Sequence, residues 1–454
     1  MTLFKVIFCY TSHSFCATEV YIILNHTKQR VSRLLIALIC MLLVFSPASP
    51  SFAKSKKNGQ MSDYTKVKSA YVMDAKSGQT LYQNHADRQL PIASLSKMMT
   101  LYLTTQAIKH HQLHWNDKVP VDHQLVKMSK SYSLGSFKIK HSDQYTVKDL
   151  YQAALIASSN SAAIALGKAV TGGDNAKFIA MMNHQAKVWG IDAHFVSSSG
   201  LDNTDLKSYG YRLDGTPAKA QNMVSAKAIS IVAQHLIKAF PQITKWSTKP
   251  NAKLNGQTLV NANSMLKPGF YYRASNHLTG LKTGYTETAG LCLTVTYWRH
   301  GRELIATILG SKSTFSAMNG LITHLDKTVK SKSMTETPQK YRIHGHQVTA
   351  DPAEAHTQVW YRIGQDPKKI KITNRLTATE LPVKKGQQLT TTTFNNTGLP
   401  TATTQTGTAA KTVRKPVAKQ GNTSGTNWFS RLFAGIGKTF SQVFLNFCIK
   451  SRLT

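Results

Sequence analysis

Two short strand-like runs, at residues 70–74 and 80–84, begin the regular pattern of hydrophobic and polar positions in this chain. The residues between them, Lys76, Ser77 and Gly78, are typical of a turn, so the pair predicts a β-hairpin. Apolar positions then recur at helical spacing in five segments, at residues 94–109, 147–170, 175–189, 225–240 and 315–329. Three further strand-like runs lie at residues 278–282, 291–297 and 303–309. This order predicts an α+β domain over residues 67–330, with helices packed on an antiparallel sheet.

The pattern changes after a junction at residues 335–338. Short alternating runs between residues 340 and 390 predict a small β-rich domain. Its expected strands lie at residues 346–349, 358–363, 369–372 and 376–380. Residues 391–426 are rich in Thr, Gly, Ala and Pro and have almost no large apolar side chains, so they predict a disordered linker.

The last segment, residues 427–450, places large apolar side chains at helical spacing. Arg431, Lys438, Gln442 and Lys450 take other positions. A basic amphipathic helix that follows a disordered linker has no nearby core to join, which favours a helix lying in the plane of a membrane surface. The alternative is that this helix docks on the protein itself or on a partner.

Residues 1–53 have the features of a secretory leader. Lys28, Arg30 and Arg33 precede an apolar run at residues 34–45, and small residues follow up to Ala53. The run of about 12 residues is short for a bilayer span, which needs about 20. An uncleaved anchor is the alternative. Together with the terminal helix, the leader predicts a secreted protein held at the outer face of the cytoplasmic membrane.

The chain is strongly basic, with 56 Lys and Arg against 21 Asp and Glu and a formal net charge of +35. So large an excess indicates a polyanionic partner. By charge alone, nucleic acid, anionic lipid and anionic wall polymers are all candidates. A secretory address makes nucleic acid a poor partner, which leaves an anionic membrane surface and anionic wall polymers.

Cysteine and histidine give little chemistry. Three of the five cysteines lie in the predicted leader: Cys9, Cys16 and Cys40. Cys292 and Cys448 fall in a predicted strand and in the terminal helix, so a disulfide framework is not expected. His110, His111 and His114 resemble an ordinary helix end, and the chain has no CxxC or HExxH spacing. Neither a metal nor another cofactor is expected.

The first candidate site is a Ser–x–x–Lys motif. Ser94 and Lys97 stand three residues apart in the first predicted helix, which puts them on one face. A serine hydroxyl is a weak nucleophile and needs a neighbouring base. A lysine can be that base when burial or nearby cations lower its pKa. Alone the motif is weak, because chance matches are common.

Two further motifs carry polar groups suited to a cleft. Ser158 and Asn160 interrupt a predicted helix, as a loop that presents a hydroxyl and an amide would. Lys282, Thr283 and Gly284 end a predicted strand and offer a cation, a hydroxyl and close backbone approach to a substrate carboxylate. Each motif alone is also typical of an exposed turn.

Taken in order, SxxK, SxN and KTG form the signature of penicillin-binding proteins and serine β-lactamases. Residues 88–100 closely resemble the nucleophile segment of the low-molecular-mass D-Ala-D-Ala carboxypeptidases, peptidase family S11. Residues 282–292 resemble that family's KTG strand, and residues 195–201 resemble its segment after SxN. The resemblance covers about residues 70–309 and implies a penicillin-binding protein and β-lactamase-like fold for the catalytic domain.

This resemblance implies a reaction. Ser94 would attack the D-Ala-D-Ala carbonyl of a peptidoglycan stem peptide and form an acyl-enzyme, with Lys97 accepting its proton. Ser158, helped by Lys282, would relay a proton to the leaving D-Ala, and Asn160 would orient both Lys97 and the substrate amide. β-Lactams resemble the substrate and are expected to acylate Ser94 with slow release.

The KTG strand would bind the substrate. Lys282 and Thr283 would hold the terminal carboxylate, and Gly284 would let the peptide approach. The backbone N–H groups of Ser94 and Tyr285 would form the oxyanion hole. Tyr285 stands where many relatives have His, a departure that bears on substrate preference.

Three alternatives stay open. A class A-like β-lactamase shares the motifs but needs a Glu for fast deacylation, and the chain has no Glu between residues 158 and 282. A transpeptidase differs mainly in the acceptor that enters. A wall-binding or membrane-binding protein with a degenerate site fits the charge, but the presence of all three motifs counts against it.

Overall fold

The computed structural model describes residues 64–352, 354–378, 380–401 and 403–414. Its α-helices there are α1 Lys97–Lys109, α2 His123–Ser129, α3 Val147–Ile156, α4 Asn160–Thr171, α5 Asn175–Val188, α6 Asn203–Lys207, α7 Ala226–Ala239, α8 Ile243–Ser247 and α9 Thr314–Thr328. The strands are β1 Ser69–Asp74, β2 Thr80–Asn84, β3 Leu90–Pro91, β4 Lys118–Val119, β5 Tyr145–Thr146, β6 Ala193–His194, β7 Met223–Val224, β8 Asn251–Leu254, β9 Gln257–Val260, β10 Leu278–Thr286, β11 Gly290–Arg299, β12 Arg302–Ser311, β13 Val329–Thr335, β14 Gln339–Ile343, β15 His346–Asp351, β16 His356–Arg362, β17 Lys371–Leu376, β18 Gln388–Asn395 and β19 Thr403–Ala409.

A five-stranded antiparallel sheet organises the first domain, in the order β10-β11-β12-β1-β2. The first and last strands of this sheet in chain order are neighbours, because β1 pairs with β12 over its whole length. Strand β10 lies at one edge of the sheet and pairs with β11 on one side. Its other edge is therefore free to border a cleft.

Both faces of this sheet are covered, which explains why all six residues of β1 are buried. Tyr71 and Met73 point to the larger hydrophobic core, which α1, α3, α4 and α7 also build. Ala70 and Val72 point to the opposite core, where α9 packs. The predicted α+β architecture is confirmed, and the predicted hairpin, helices and three later strands all form with small shifts at their ends.

A β-rich domain follows, in which β14-β15-β19-β18-β17 form one sheet and β13-β16 a second, two-stranded one. Its small cores centre on Val348, Val383 and Leu389 in one cluster and on Val359 and Phe394 in another. The domain predicted at residues 340–390 is therefore present, but it extends to β19.

The linker prediction is wrong over its first part. Strands β18 and β19 occupy residues 388–395 and 403–409, which the sequence assigned largely to disorder. The predicted strand at residues 376–380 is also wrong, because β17 ends at Leu376. The leader at residues 1–53 and the helix at residues 427–450 lie outside the described residues. Within the part of the chain that is described, no helix is long and apolar enough to cross a membrane.

A buried polar cluster joins the two domains. Asp74, fully buried at the end of β1, accepts two hydrogen bonds from Arg302, at 2.7 and 2.9 Å, and one from the indole of Trp360, at 2.8 Å. Arg302 also donates to Glu354 at 2.6 Å. Gln79 donates to the carbonyl of Trp360 and accepts from its backbone N–H. These contacts satisfy a buried charge with groups from both domains.

Candidate active site

Ser94 lies in a tight 3-10 turn, Ala93–Ser96, that leads into α1. The sequence predicted that the helix begins at Ser94, but it begins at Lys97. Ala93 has a φ of 48°, in the left-handed region that non-glycine residues rarely adopt, and the Ser96 hydroxyl donates to its carbonyl at 2.7 Å. The turn therefore holds the Ser94 hydroxyl partly exposed at the end of the helix.

Lys97 is the most constrained group of the site. Its side chain is 0% exposed, and its Nζ lies 2.8 Å from Ser94 Oγ. The same nitrogen donates to Asn160 Oδ1 at 2.7 Å and to the Ser199 carbonyl at 2.7 Å. Burial first, and then the positive charge of Lys282, hold the pKa of Lys97 well below its ordinary value. A lysine in this state can accept the proton of the serine.

The second motif occupies the break between α3 and α4. Helix α3 ends at Ile156, Ser158 has a φ of 57°, and the Ser159 side chain caps α4 by accepting from the N–H of Ala162 at 3.3 Å. Asn160, the first residue of α4, is thereby brought to Lys97. Ser158 lies in the same break, two residues earlier and partly exposed.

The third motif lies within β10. The sequence predicted that the strand ends at this motif, but pairing with β11 continues to Thr286. Lys282 is 2% exposed, and burial lowers its pKa to about 7. Its Nζ donates to the Thr283 carbonyl at 2.9 Å.

Gly284 brings the strand against the nucleophile turn. A Cβ placed there would lie 3.0 Å from the carbonyl oxygen of Ile92 and 3.2 Å from the backbone nitrogen of Ser94, tighter than ordinary contacts. The next residue, Tyr285, is 62% exposed. The backbone of Gly284 therefore lies close to that of Ser94, and Tyr285 follows directly in the strand.

Three contributors escaped the sequence analysis. The Ser199 carbonyl binds Lys97, and the Leu134 carbonyl accepts from Asn160 Nδ2 at 2.9 Å. Gly200, with a φ of +87°, packs so tightly that a Cβ would lie 2.1 Å from the Ala93 carbonyl oxygen. The family-like segment at residues 195–201 carried a signal for two of them. A backbone carbonyl such as that of Leu134 leaves no signal in one sequence.

Metal ligation has no support in the described residues, where no group of three or more His, Cys, Asp or Glu side chains could hold an ion. His110, His111 and His114 all lie exposed at the end of α1. Cys292, opposite Gly284 in the sheet, is buried and unbridged, and burial raises its thiol pKa to about 11. The groups described above at the candidate site are the serine, the two lysines and the amide.

A helix-covered antiparallel sheet with a serine bonded to a buried, low-pKa lysine defines the class of serine hydrolases that work through an SxxK motif. The chain belongs to the D-alanyl-D-alanine carboxypeptidase family, peptidase family S11, whose model matches residues 56–313. The family and the serine peptidase activity predicted from the motifs are thus confirmed.

Known proteins resemble the chain beyond this domain. It is 27% identical over 388 residues to the D-alanyl-D-alanine carboxypeptidase DacF of Bacillus subtilis, covering 80% of this chain and 89% of that relative. It is 30% identical over 245 residues to DacD of Salmonella typhimurium, covering 53% of this chain and 57% of that relative. The structure of a peptidoglycan synthesis regulatory factor, PBP3, from Streptococcus pneumoniae superposes with a TM-score of 0.61 at 25% identity, covering 76% of this chain and 99% of that one.

The fold extends into the second domain in these neighbours. Penicillin-binding protein 5 of Haemophilus influenzae matches with a TM-score of 0.58 over 77% of this chain and 98% of that one, at 22% identity. At that identity the likeness concerns the fold alone. A match of this extent includes the β-rich domain as well as the catalytic one, so both belong to one shared architecture.

Proposed function

We propose that the chain removes the terminal D-Ala from peptidoglycan stem pentapeptides through an acyl-enzyme on Ser94. The observation that carries this proposal is the 2.8 Å contact between Ser94 Oγ and the buried Nζ of Lys97, whose pKa is lowered. A neutral amine at that position takes the hydroxyl proton as the oxygen attacks the peptide carbonyl. The attack breaks the D-Ala-D-Ala bond and leaves the shortened peptide as an ester on Ser94.

The KTG strand supplies the binding groups in this proposal. Lys282 and Thr283 hold the terminal carboxylate, and the free edge of β10 lies along the peptide. The backbone N–H groups of Ser94 and Tyr285 stabilise the negative charge on the tetrahedral intermediate. The tight packing at Gly284 supports this, because Gly284 directly precedes Tyr285 and lies against the backbone of Ser94.

Ser158, together with Lys282, returns a proton to the departing amine of D-Ala. Its place in the break beside Asn160 supports this role. Water then hydrolyses the ester on Ser94 and frees the enzyme. The absence of any Glu between residues 158 and 282 favours slow deacylation of bulky acyl groups. We therefore expect β-lactams to acylate Ser94 and to remain there.

The enzyme acts, in this proposal, at the outer face of the cytoplasmic membrane. The leader at residues 1–53 supports export, and the basic amphipathic pattern at residues 427–450 supports peripheral attachment to anionic lipid. The net charge of +35 supports additional attraction to anionic wall polymers.

A labelling experiment tests the proposal. Incubation with a fluorescent penicillin should give a persistent adduct on Ser94, found by mass spectrometry, and Ser94→Ala should abolish it. The wild-type chain should also release D-Ala from a stem pentapeptide. Ser96→Ala tests the specificity for Ser94: the Ser96 hydroxyl bonds the Ala93 carbonyl rather than Lys97, so the adduct on Ser94 should still form, although more slowly because the turn loses a bond.

Other outcomes would redirect the assignment. A folded wild-type chain that forms no adduct would contradict the catalytic proposal and leave a binding protein. An adduct lost within seconds would indicate a β-lactamase. Transfer of the peptide to an amine acceptor, in place of D-Ala release by water, would indicate a transpeptidase.

A further inference from the structure

The loop at residues 130–136, between α2 and β5, contacts the active site through a backbone carbonyl. We propose that the carbonyl of Leu134 is a positioning group. It fixes the side-chain amide of Asn160 so that the amide oxygen faces Lys97, and it thereby directs the lone pair of Lys97 at Ser94. This inference rests on the proposed function, because it concerns the step in which Ser94 is acylated.

The two ends of the Asn160 amide have different partners. Its oxygen accepts from Lys97 Nζ at 2.7 Å, and its nitrogen donates to the Leu134 carbonyl at 2.9 Å. A backbone carbonyl can only accept a hydrogen bond. If the amide were turned over, its oxygen would face the Leu134 oxygen and neither could donate. The Leu134 carbonyl therefore selects one of two orientations that otherwise have nearly the same shape.

That orientation decides where the lone pair of Lys97 points. A neutral amine has two N–H groups and one lone pair, and Nζ has three partners here. The Ser199 carbonyl and the Asn160 oxygen, both at 2.7 Å, are pure acceptors and take both N–H groups. The lone pair is left for the hydroxyl of Ser94. With Asn160 turned over, the amide N–H would compete for that same lone pair.

The loop is closed tightly enough to hold its carbonyl in place. The Gly135 N–H donates to the Ser131 carbonyl at 2.9 Å, and the Leu134 N–H donates to Ser131 Oγ at 3.3 Å. A Cβ at Gly135 would lie 2.3 Å from the Ser129 carbonyl oxygen and 2.6 Å from that of Ser131. Only glycine fits there, and any larger residue must shift the backbone beside Leu134.

The test measures the acylation rate of the full chain by a fluorescent penicillin between pH 5 and 9. Gly135→Ala should lower this rate by about tenfold or more, because small misplacements of reacting groups are costly. The acidic limb of its profile should also move to lower pH, since the protonated form of Lys97 loses an acceptor. Ser131→Ala should give a smaller change in the same direction without adding atoms.

Asn160→Asp should shift the acidic limb of the pH profile in the opposite direction. Its carboxylate would stabilise protonated Lys97, so the acidic limb should move to higher pH. Ser136→Ala, an exposed change in the same loop, is the matched control and should leave both rate and profile unaltered. Thermal unfolding of each variant identifies any that has lost its fold. If Gly135→Ala does not fold, Ser131→Ala still tests the inference.

The inference is overturned if folded Gly135→Ala and Ser131→Ala acylate like the wild type. It is also overturned if their rates fall while the acidic limb stays in place, since a merely structural role would do that. A wild-type chain without any Ser94 adduct would instead contradict the proposed function and remove this inference with it. The two failures are therefore distinguishable.

Discussion

At the scale of single residues, the site is dominated by two lysines removed from water. Lys97 and Lys282 are 0% and 2% exposed, and the charge of the second contributes to the lowered pKa of the first. The positive charge of Lys282 therefore disfavours the protonated form of Lys97. An arriving carboxylate would offset this repulsion and favour the charged form of Lys282.

The pKa of Lys282 leads to a prediction about stability. Burial lowers this pKa from 10.5 to about 7, so between those values the unfolded chain binds a proton that the folded chain does not. Stability should therefore rise with pH across that window, and the full cost of burial is present below pH 7. Lys282→Met should raise the free energy of unfolding by roughly 2–4 kcal/mol at pH 6, and by less at pH 9.5.

Urea unfolding at pH 6, 8 and 9.5 measures this difference. The exposed Lys130→Met is the control and should change stability little at any pH. Equal stabilisation by Lys282→Met at all three values would contradict the assigned pKa. The same variant should lose D-Ala release, because the carboxylate of the substrate loses its cation.

At the scale of elements, the nucleophile turn is clamped between two chain segments. Gly284 of β10 packs on the backbone of Ile92 and Ser94, and Gly200 packs on the carbonyl of Ala93. The segment before Gly200 is itself fixed, because the Asn222 side chain bonds the backbone of Val196 and Ser197. The unusual φ of Ala93 is thus maintained by its neighbours and not by its own preference.

We predict that Gly200→Ala damages both stability and acylation. Its Cβ would meet the Ala93 carbonyl oxygen at 2.1 Å, and its φ of +87° disfavours any side chain. The free energy of unfolding should fall by about 2 kcal/mol or more. The acylation rate should fall by about tenfold or more, because the turn that carries Ser94 must move.

Gly210→Ala is the matched control for this change. Gly210 has a similar φ of +73° but nothing within 4 Å of its Cβ position, so it isolates the backbone cost. Gly210→Ala should lower the free energy of unfolding by about 1 kcal/mol and leave the acylation rate unchanged. Acylation rates are measured with a fluorescent penicillin. Equal rates for Gly200→Ala and Gly210→Ala would contradict the claim that the packing of Gly200 holds the nucleophile turn in place.

The elements also show what one sequence can and cannot reveal. Periodic apolar runs located α1, α3, α4, α7 and the three long strands, and the motifs located Ser94, Lys97 and Asn160. Strands β18 and β19 escaped because they are made largely of Thr, which has few apolar atoms although its β-branched side chain suits a strand. Strand β19 also pairs with β15, far earlier in the chain (Ala350 with Ala409), and composition does not report such a distant pairing.

At the scale of the whole molecule, the proposed attachment to a membrane surface rests on charge and on the order of segments in the chain. In the proposal, the net charge of +35 would attract anionic lipid and wall polymers alike. Only a helix with an apolar face would add binding that survives moderate salt. The two contributions can therefore be separated by salt concentration and by removing the terminal segment.

We expect the chain to sediment with vesicles that contain anionic lipid, and to remain partly bound as salt is raised. A chain that ends at residue 426 should bind about tenfold less and be released by salt, because it retains charge without the apolar face. Vesicles of neutral lipid are the control for the electrostatic contribution. Equal sedimentation of both chains in high salt would exclude the terminal helix as the anchor.

The buried cluster at Asp74 makes the two domains depend on each other during folding. Asp74 and Trp360 are 286 residues apart in sequence, so Asp74 is synthesised long before the Trp360 indole that donates to it leaves the ribosome. Until then Asp74 has its donors from the catalytic domain, Arg302 and the backbone N–H groups of Lys76 and Ser77, but lacks the indole N–H of Trp360. A chain cut before β16 would lack the Trp360 donor permanently. The two domains together should therefore fold more cooperatively than the catalytic domain alone.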